Sequence, residues 1–181
     1  MEVRDLVEAS FGYAEMQVLS LPELYAGKIC AALDRQHPRD FFDVKLLLEN
    51  EGLTTEIRQA FLVYLISHPR PLSELINPMR KNIRSIFESD FANMTEIPVT
   101  VEDLETTREQ LIKAIHAGLT EQEIQFLLSF KARTSNWSLL GLSGIDQLPA
   151  VKWKMLNLQK MSRDKHAKAY TALEKVLLTA K

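Results

Sequence analysis

The chain has few of the residues that mark several common kinds of functional site. Its single cysteine, Cys30, excludes a disulfide within the chain and is typical of a protein from a reducing cytoplasm, the predicted location. The six glycines are never adjacent, and no apolar run approaches the roughly 18 residues that a membrane-spanning helix needs. The sequence therefore predicts no membrane association, and it lacks a glycine-rich phosphate-binding loop.

The overall composition is that of a folded domain. Hydrophobic residues occupy 46% of the 181 positions and charged residues 25%, which is ordinary globular usage. Helix-capping signals recur, whereas alternating strand patterns do not. These signals are Ser20 with Glu23, Thr100 with Asp103, Thr120 with Glu123, and the pair Asn77-Pro78. We therefore predict a mainly α, multi-helix domain. The segment EMQVLS at 15–20 is the exception and indicates a short N-terminal strand or hairpin.

The predicted helix that follows Ser20 carries a lysine within its apolar face. At about 100° per residue, Lys28 points in the same direction as a set of apolar side chains. These are Leu21, Leu24, Tyr25 and Ala32. Burying a charged group without a partner is costly. Lys28 therefore needs an opposite charge, a ligand, or both.

A second predicted helix starts at Pro38 and supplies the opposite charge. Asp40 and Asp43 lie three residues apart among mostly apolar neighbours. Arg35 and Arg39 are the cations available to balance them. The residues alone leave two interpretations open: a functional site, or a structural network of ion pairs joining two helices, because such networks also contain unusual carboxylates.

The spacing of these residues resembles that of the nucleotidyltransferase AbiEii/AbiGii toxin family. Its members carry a helix with the pattern E-L-x-x-x-K-x-x-A-L, which is matched here by Glu23, Leu24, Lys28 and Ala31. A helix with the pattern R-x-x-x-R-D-x-x-D follows, matched by Arg35, Arg39, Asp40 and Asp43. The similarity extends through the tracts AFLVYLISHPRP and LPAVKWKMLN, so it covers nearly the whole chain.

Two parts of the family pattern are absent from this sequence. Family members have a Gly-Gly or Gly-Ser turn and an Asp-x-Asp pair that holds the metal ions, and this chain contains neither motif. For a complete enzyme the resemblance implies Mg²⁺ and a nucleoside triphosphate, with metal ions stabilising the attacking and leaving oxygens. We therefore predict that residues 1–19 are a remnant of the nucleotidyltransferase α/β core. Residues 20–181 would form its C-terminal helical domain, which needs no cofactor alone and is inactive by itself.

The resemblance also implies a role for each charged residue. Lys28 would contact the nucleotide triphosphate, and Asp43, with Asp40, would orient Lys28 or assist the substrate hydroxyl. Arg35 and Arg39 would contact phosphate or balance charge. The activity implied is nucleotide transfer by a toxin of a toxin–antitoxin or phage-defence pair, with transfer RNA as the acceptor in better-known relatives. No metal ligand is predicted, because His37, which could complete a set with Asp40 and Asp43, precedes the first helical turn.

Other functions stay open on the sequence. The chain could be a non-catalytic module that binds an antitoxin or a separately encoded N-terminal half, or a remnant without activity. Residues 151–181 hold eight lysines and arginines against Asp164 and Glu174. They could contact transfer RNA, with Trp153 and Tyr170 stacking on bases. The alternative for this segment is a solvated helix face above core aromatics.

Overall fold

The computed structural model describes residues 5–13 and 17–178, which form helices and connecting loops without a strand. The helices are α1 (Asp5–Phe11), α2 (Leu21–Arg35), α3 (Pro38–Asn50), α4 (Thr55–Ser67), α5 (Leu72–Ile76), α6 (Arg84–Asp90), α7 (Val101–Gly118), α8 (Glu121–Lys131), α9 (Pro149–Lys160) and α10 (Arg163–Leu178). The mainly α prediction is confirmed. Within these described ranges, no helix combines the length and apolar character needed to cross a membrane.

The predicted N-terminal strand or hairpin is wrong for the described residues. Asp5–Phe11 form helix α1, and residues 17–20 have no regular structure. The part of the prediction that fell on residues 14–16 lies outside the described residues. A strand needs a neighbour to pair its backbone N–H and C=O groups, and the described part of the chain provides no such neighbour. Residues 5–11 instead pair their backbone groups within helix α1, whereas residues 17–20 stay irregular.

Side-chain caps fix where the main helices begin. The Ser20 hydroxyl accepts from the Glu23 N–H, while the Glu23 carboxylate accepts from the Ser20 N–H at 3.2 Å. The same reciprocal arrangement opens α7 at Thr100 and α8 at Thr120. These three predicted caps are confirmed. The predicted start at Asn77-Pro78 is wrong, because Asn77 instead ends α5, and its N–H donates to the Ser73 carbonyl.

The core forms around α2 and α4, which pack against each other along their lengths. The buried face of α2 consists of Ala26, Ile29, Cys30, Ala32 and Leu33. Burial raises the pKa of the Cys30 thiol to about 12, so this cysteine is a buried apolar group, as its sequence context predicts. The predicted apolar face is only partly correct, because Leu21 and Leu24 are 52% and 43% exposed.

Gln36 forms the turn between α2 and α3. It is buried and has a left-handed backbone conformation (φ 56°, ψ 43°), which is uncommon outside glycine and asparagine. Its side-chain amide donates to the Met79 carbonyl at 2.8 Å, and its side-chain oxygen accepts from the Lys81 N–H at 3.0 Å. Arg108 on α7 donates to the same oxygen at 3.3 Å. Residues distant from Gln36 in the sequence therefore fix the angle between α2 and α3.

Candidate functional site

The turn at Gln36 brings Lys28 on α2 against Asp43 on α3. The Lys28 Nζ lies 2.5 Å from the Asp43 Oδ2, and the two side chains are 33% and 30% exposed. The predicted salt bridge between Lys28 and one of the two aspartates is therefore confirmed. A pair with this exposure stays open to water and to a ligand. Lys28 consequently avoids the cost of full burial that its position in the helix pattern suggests.

The second aspartate, Asp40, pairs with Arg35. The Arg35 Nε and Nη2 donate to the two carboxylate oxygens of Asp40 at 3.1 and 2.7 Å. The Asp40 side chain is 9% exposed and the Arg35 side chain 64% exposed. Both oxygens of Asp40 are therefore engaged, and the two-point contact fixes the end of α2 against the first turn of α3. Asp40 acts here as an anchor for Arg35.

Arg39 and His37 sit at the beginning of α3 with different partners. The exposed Arg39 guanidinium contacts the Met94 sulfur at 3.3 Å, and among the described residues it forms no ion pair. The His37 Nδ1 accepts from the Arg39 N–H at 3.2 Å and caps the helix. Its Nε2 lies 3.9 Å from Asp90. His37 therefore works as a cap, and Arg39 keeps a guanidinium available for an anion.

These groups line one shallow depression between α2 and α3. Lys28, Arg35, Arg39, Asp40 and Asp43 all contribute to its surface, as do Glu23, Gly27, Ala31 and Tyr64. Tyr64, whose sequence context predicts a core aromatic, is half-buried and presents its ring beside Gly27. Tyr64 comes from α4, and no local sequence pattern connects it with Lys28. The structure thus brings the five predicted site residues together and adds Tyr64.

The lining of the depression also includes exposed apolar side chains. Leu19 and Leu24 form part of its lining, and Val18 and Leu21 are also exposed in the same segment. Single exposed apolar side chains are ordinary, but four of them lie within the seven residues 18–24, which we call the apolar strip. The depression therefore combines charged groups with two apolar side chains of this strip.

Residues 1–154 match the family model described as nucleotidyl transferase AbiEii toxin, type IV TA system. The chain belongs to the AbiEii family. Searches of curated proteins and of solved structures gave no match. Membership of a type IV toxin–antitoxin family implies a cognate antitoxin as partner. The family segment contains α1 to α8 and ends inside α9, so the whole depression falls within it.

The described residues of this AbiEii-family chain do not fit a metal ion. No group of three or more histidine, cysteine, aspartate or glutamate side chains converges within residues 5–13 and 17–178. In the depression, Asp43 is paired with Lys28, and both oxygens of Asp40 are paired with Arg35. The arrangement suits an anionic group that meets Lys28 and Arg39. The Mg²⁺ implied for a complete enzyme would need carboxylates from another source.

Proposed function

We propose that this chain is the helical part of an AbiEii-family nucleotidyltransferase and binds the triphosphate of the substrate nucleotide with Lys28. The observation that supports the proposal is the Lys28–Asp43 pair, 2.5 Å apart on an open depression. An ammonium held beside a low-dielectric surface attracts phosphate charge more strongly than one in bulk water. Arg39, exposed beside it, would add a second positive charge.

Asp43 would orient the Lys28 ammonium and assist the acceptor hydroxyl. Its Oδ2 accepts from Lys28, and its second oxygen makes no other hydrogen bond among the described residues. A carboxylate with one free oxygen can accept a hydroxyl proton within hydrogen-bond distance. Asp40 would act indirectly, because its two oxygens hold Arg35 in place. The nucleotide-binding set proposed is therefore Lys28, Arg35 and Arg39.

The chain would require a catalytic part that carries the metal-binding carboxylates. In this proposal, residues 20–181 form the helical domain, and residues 1–19 belong to the catalytic core. Phosphoryl transfer depends on positioning and on stabilisation of charge. The apolar strip that includes Leu19 and Leu24 would pack against that catalytic part, because association buries exposed apolar surface. By itself the chain would bind nucleotide weakly and transfer none.

The exposed lysines and arginine of α9 and α10 would contact the acceptor. Lys152, Lys160, Arg163, Lys165 and Lys168 are all exposed, and Trp153 beside them is half-exposed. Cations of this kind meet RNA phosphates, and an accessible indole can stack on a base. Lys154 cannot take part, since it is buried. We include transfer RNA as the proposed acceptor class.

The test is a transfer assay with labelled nucleoside triphosphates, magnesium and total transfer RNA. We expect no labelling by the chain alone and labelling after the N-terminal half of a related enzyme is added. Lys28→Met should abolish the complemented activity. Lys45→Met is the matched control, because Lys45 forms an ion pair with Glu49 within α3, outside the depression. Robust labelling by the chain alone would place the active site elsewhere.

A second candidate function is a binding module without catalysis. The exposed apolar strip formed by Val18, Leu19, Leu21 and Leu24 favours it, since such a surface suits an antitoxin or a separately encoded N-terminal half. In this case Leu21→Asp and Leu24→Asp would abolish the association, while Lys28→Met would leave it intact. No labelling under any complementation, together with stable complex formation, would favour this function over the first.

A further inference from the structure

A cavity separate from the depression at Lys28 is lined by two buried lysines. It has a volume of about 120 Å³ and lies between the loop before α5, the end of α8, and helices α9 and α10. Its apolar lining includes Pro71, Leu72, Trp153 and Leu158. This volume exceeds the roughly 10–15 Å³ that is needed to hold one water molecule on the same measure. None of the residues that line the depression at Lys28 lines this cavity.

Lys131 is the unusual member of this cavity. It is only 5% exposed, yet its ammonium forms no hydrogen bond or ion pair with the described part of the chain. Its backbone carbonyl accepts from the His166 ring at 2.7 Å, which fixes the backbone and leaves the side chain unpaired. No fully enclosed side-chain nitrogen or oxygen lacks a partner in residues 5–13 and 17–178. The Lys131 ammonium therefore keeps some accessible surface, and the Lys131 side chain forms part of the cavity lining.

Lys154 contributes charge without free hydrogen-bond donors. Its Nζ donates to the carbonyls of His68, Pro69 and Arg70 at 2.6, 3.2 and 2.7 Å. An ammonium has three N–H groups, so all of them are in use. These contacts satisfy three carbonyls where the chain leaves α4. Lys154 therefore acts as a fixed positive charge in the cavity wall, beside the unpaired Lys131.

The charged groups that act on the two lysines are themselves cations. Burial and the nearby Arg133 lower the pKa of Lys131. Burial and Lys131 lower the pKa of Lys154 to about 8. Opposite charges would raise these values, and no carboxylate of the described residues does so for either lysine. The site holds two cations without the anion that would compensate them.

We propose that this cavity binds a carboxylate carried on a short apolar stem. Lys131 would donate to one carboxylate oxygen, Lys154 would stabilise the charge, and the stem would pack against Leu72, Trp153 and Leu158. A carboxylate fits better than a phosphate because the free donors in the lining are few, namely Lys131, the exposed amide of Asn157 and the indole N–H of Trp153, and the other lining side chains besides Lys154 are apolar. A phosphate dianion would leave several oxygens unpaired among apolar side chains. The stem could belong to a small organic acid or to the last residue of a peptide.

The first experiment measures binding of sodium butyrate to the full chain by calorimetry and thermal unfolding at constant ionic strength. We expect saturable binding and a rise in melting temperature, because a ligand that binds the folded state stabilises it. Butyramide, an uncharged analogue, and inorganic phosphate should bind at least tenfold more weakly. Equal binding of butyramide or phosphate, or no saturable binding of butyrate, would overturn the proposal.

Variants then assign the binding to the cavity. Lys131→Met should weaken butyrate at least tenfold and should unfold at a higher temperature than the wild type without ligand, since it removes an unpaired buried cation. Ala169→Leu, which fills the apolar end, should also abolish binding. Lys152→Met is the matched control, because Lys152 is exposed on α9 and does not line the cavity. Unchanged butyrate affinity in Lys131→Met would refute the assignment.

Peptides distinguish the two sources of the carboxylate. A short peptide ending in leucine with a free carboxyl group is compared with the same peptide amidated at its end. Binding of the free acid at least tenfold more tightly than butyrate, and lost on amidation, would identify a chain terminus as the ligand. Binding no tighter than that of butyrate would identify a small organic acid. Amidation without effect on a peptide that binds would contradict carboxylate recognition.

Discussion

Lys28 shows at the scale of one residue how a position in a helix pattern can mislead. Its place in the arc of Leu21 and Leu24 suggests burial, yet those leucines are themselves exposed, and Lys28 lies at the edge of the packed face. The buried face of α2 is rotated towards Ile29 and Leu33. The sequence could identify the charged residues and their pairing, because Lys28 and Asp43 fall on adjacent helices. It could not give their exposure, which depends on how α2 meets α4.

The modest burial of Lys28 leads to a prediction about stability. Lys28→Met should lower the free energy of unfolding by about 1 kcal/mol or less, because partly exposed ion pairs contribute little and methionine retains the apolar stem. Urea unfolding, followed by circular dichroism, measures this change. A loss of several kcal/mol would instead favour the structural ion-pair network, since removal of one buried partner is strongly destabilising.

Arg58 and Glu123 join α4 to α8 and provide the contrasting case. The Arg58 Nε donates to both oxygens of Glu123 at 3.1 Å, and the two side chains are 14% and 7% exposed. Arg58→Ala would remove the ion-pair partner of the buried Glu123 carboxylate and leave it, within the described part of the chain, only the hydrogen bond from the Thr120 N–H. We expect a loss of about 3 kcal/mol in the free energy of unfolding. Urea denaturation of Arg58→Ala, compared with the wild type, measures it.

The matched control for Arg58 is Arg84→Ala. Arg84 also pairs with a glutamate, Glu102, but both side chains are largely exposed. Its removal should leave the urea midpoint unchanged. An equal shift in the midpoint for both variants would show that the effect comes from arginine packing in general and not from an abandoned buried carboxylate.

Among the helices, the sequence predicted those features that depend on neighbouring residues. The caps at Ser20, Thr100 and Thr120 each involve contacts over three positions, so the local pattern contains all the partners. Asn77-Pro78 failed because asparagine and proline suit the end of one helix as well as the start of the next. Residues Leu72–Ile76 form a short helix that packs against α10 and α2, and Asn77 therefore ends this helix.

Contacts between helices distant in the chain could not be predicted in the same way. Lys154 meets the carbonyls at 68–70 across 84 to 86 positions. In the sequence it is one of several lysines in a basic segment, and only its spacing from Val151 and Leu158, which places it on their helix face, separates it from Lys152. Its burial follows from the packing of α9 against α4.

The buried ammonium of Lys154 makes the stability of the chain depend on pH. Its pKa in the folded state is about 8, below the usual value of 10.5, so the unfolded chain binds the proton more readily between these values. The free energy of unfolding of the wild type should therefore rise from pH 8 to pH 10 relative to that of Lys154→Met. The gain is at most about 1.4 kcal/mol per pH unit. Urea midpoints of both chains across this range measure the difference, and a falling difference would contradict the assigned pKa.

For the whole molecule, the segment shared with the AbiEii family is shorter than the packed unit. The match ends at residue 154, inside α9, while α10 buries Leu173 and Leu177 against the rest of the chain. Burial of two leucines contributes about 3–6 kcal/mol, a large part of typical domain stability. A chain ending at Lys160 should therefore lose cooperative thermal unfolding.

Calorimetry measures this loss of cooperativity. Two single substitutions in the full chain test whether the destabilisation comes from lost packing of α10 or only from shortening the chain. Leu173→Ala should destabilise by about 2–5 kcal/mol, while Leu178→Ala should change little because Leu178 is exposed. Cooperative unfolding of the chain ending at Lys160, at an unchanged temperature, would show that α10 is an accessory to the fold.

The left-handed turn at Gln36 has a consequence for genetics. Because Arg108 and the segment at Met79 and Lys81 hold that turn, the approach of Lys28 to Asp43 depends on residues that do not line the depression. A selection for loss of the activity proposed for the complemented chain would then recover mutations at Gln36 and Arg108 together with those at Lys28. The mutations at Gln36 and Arg108 would leave Lys28 and Asp43 present but misaligned. The recovered mutations would therefore lie at positions that lead from the open depression to α7.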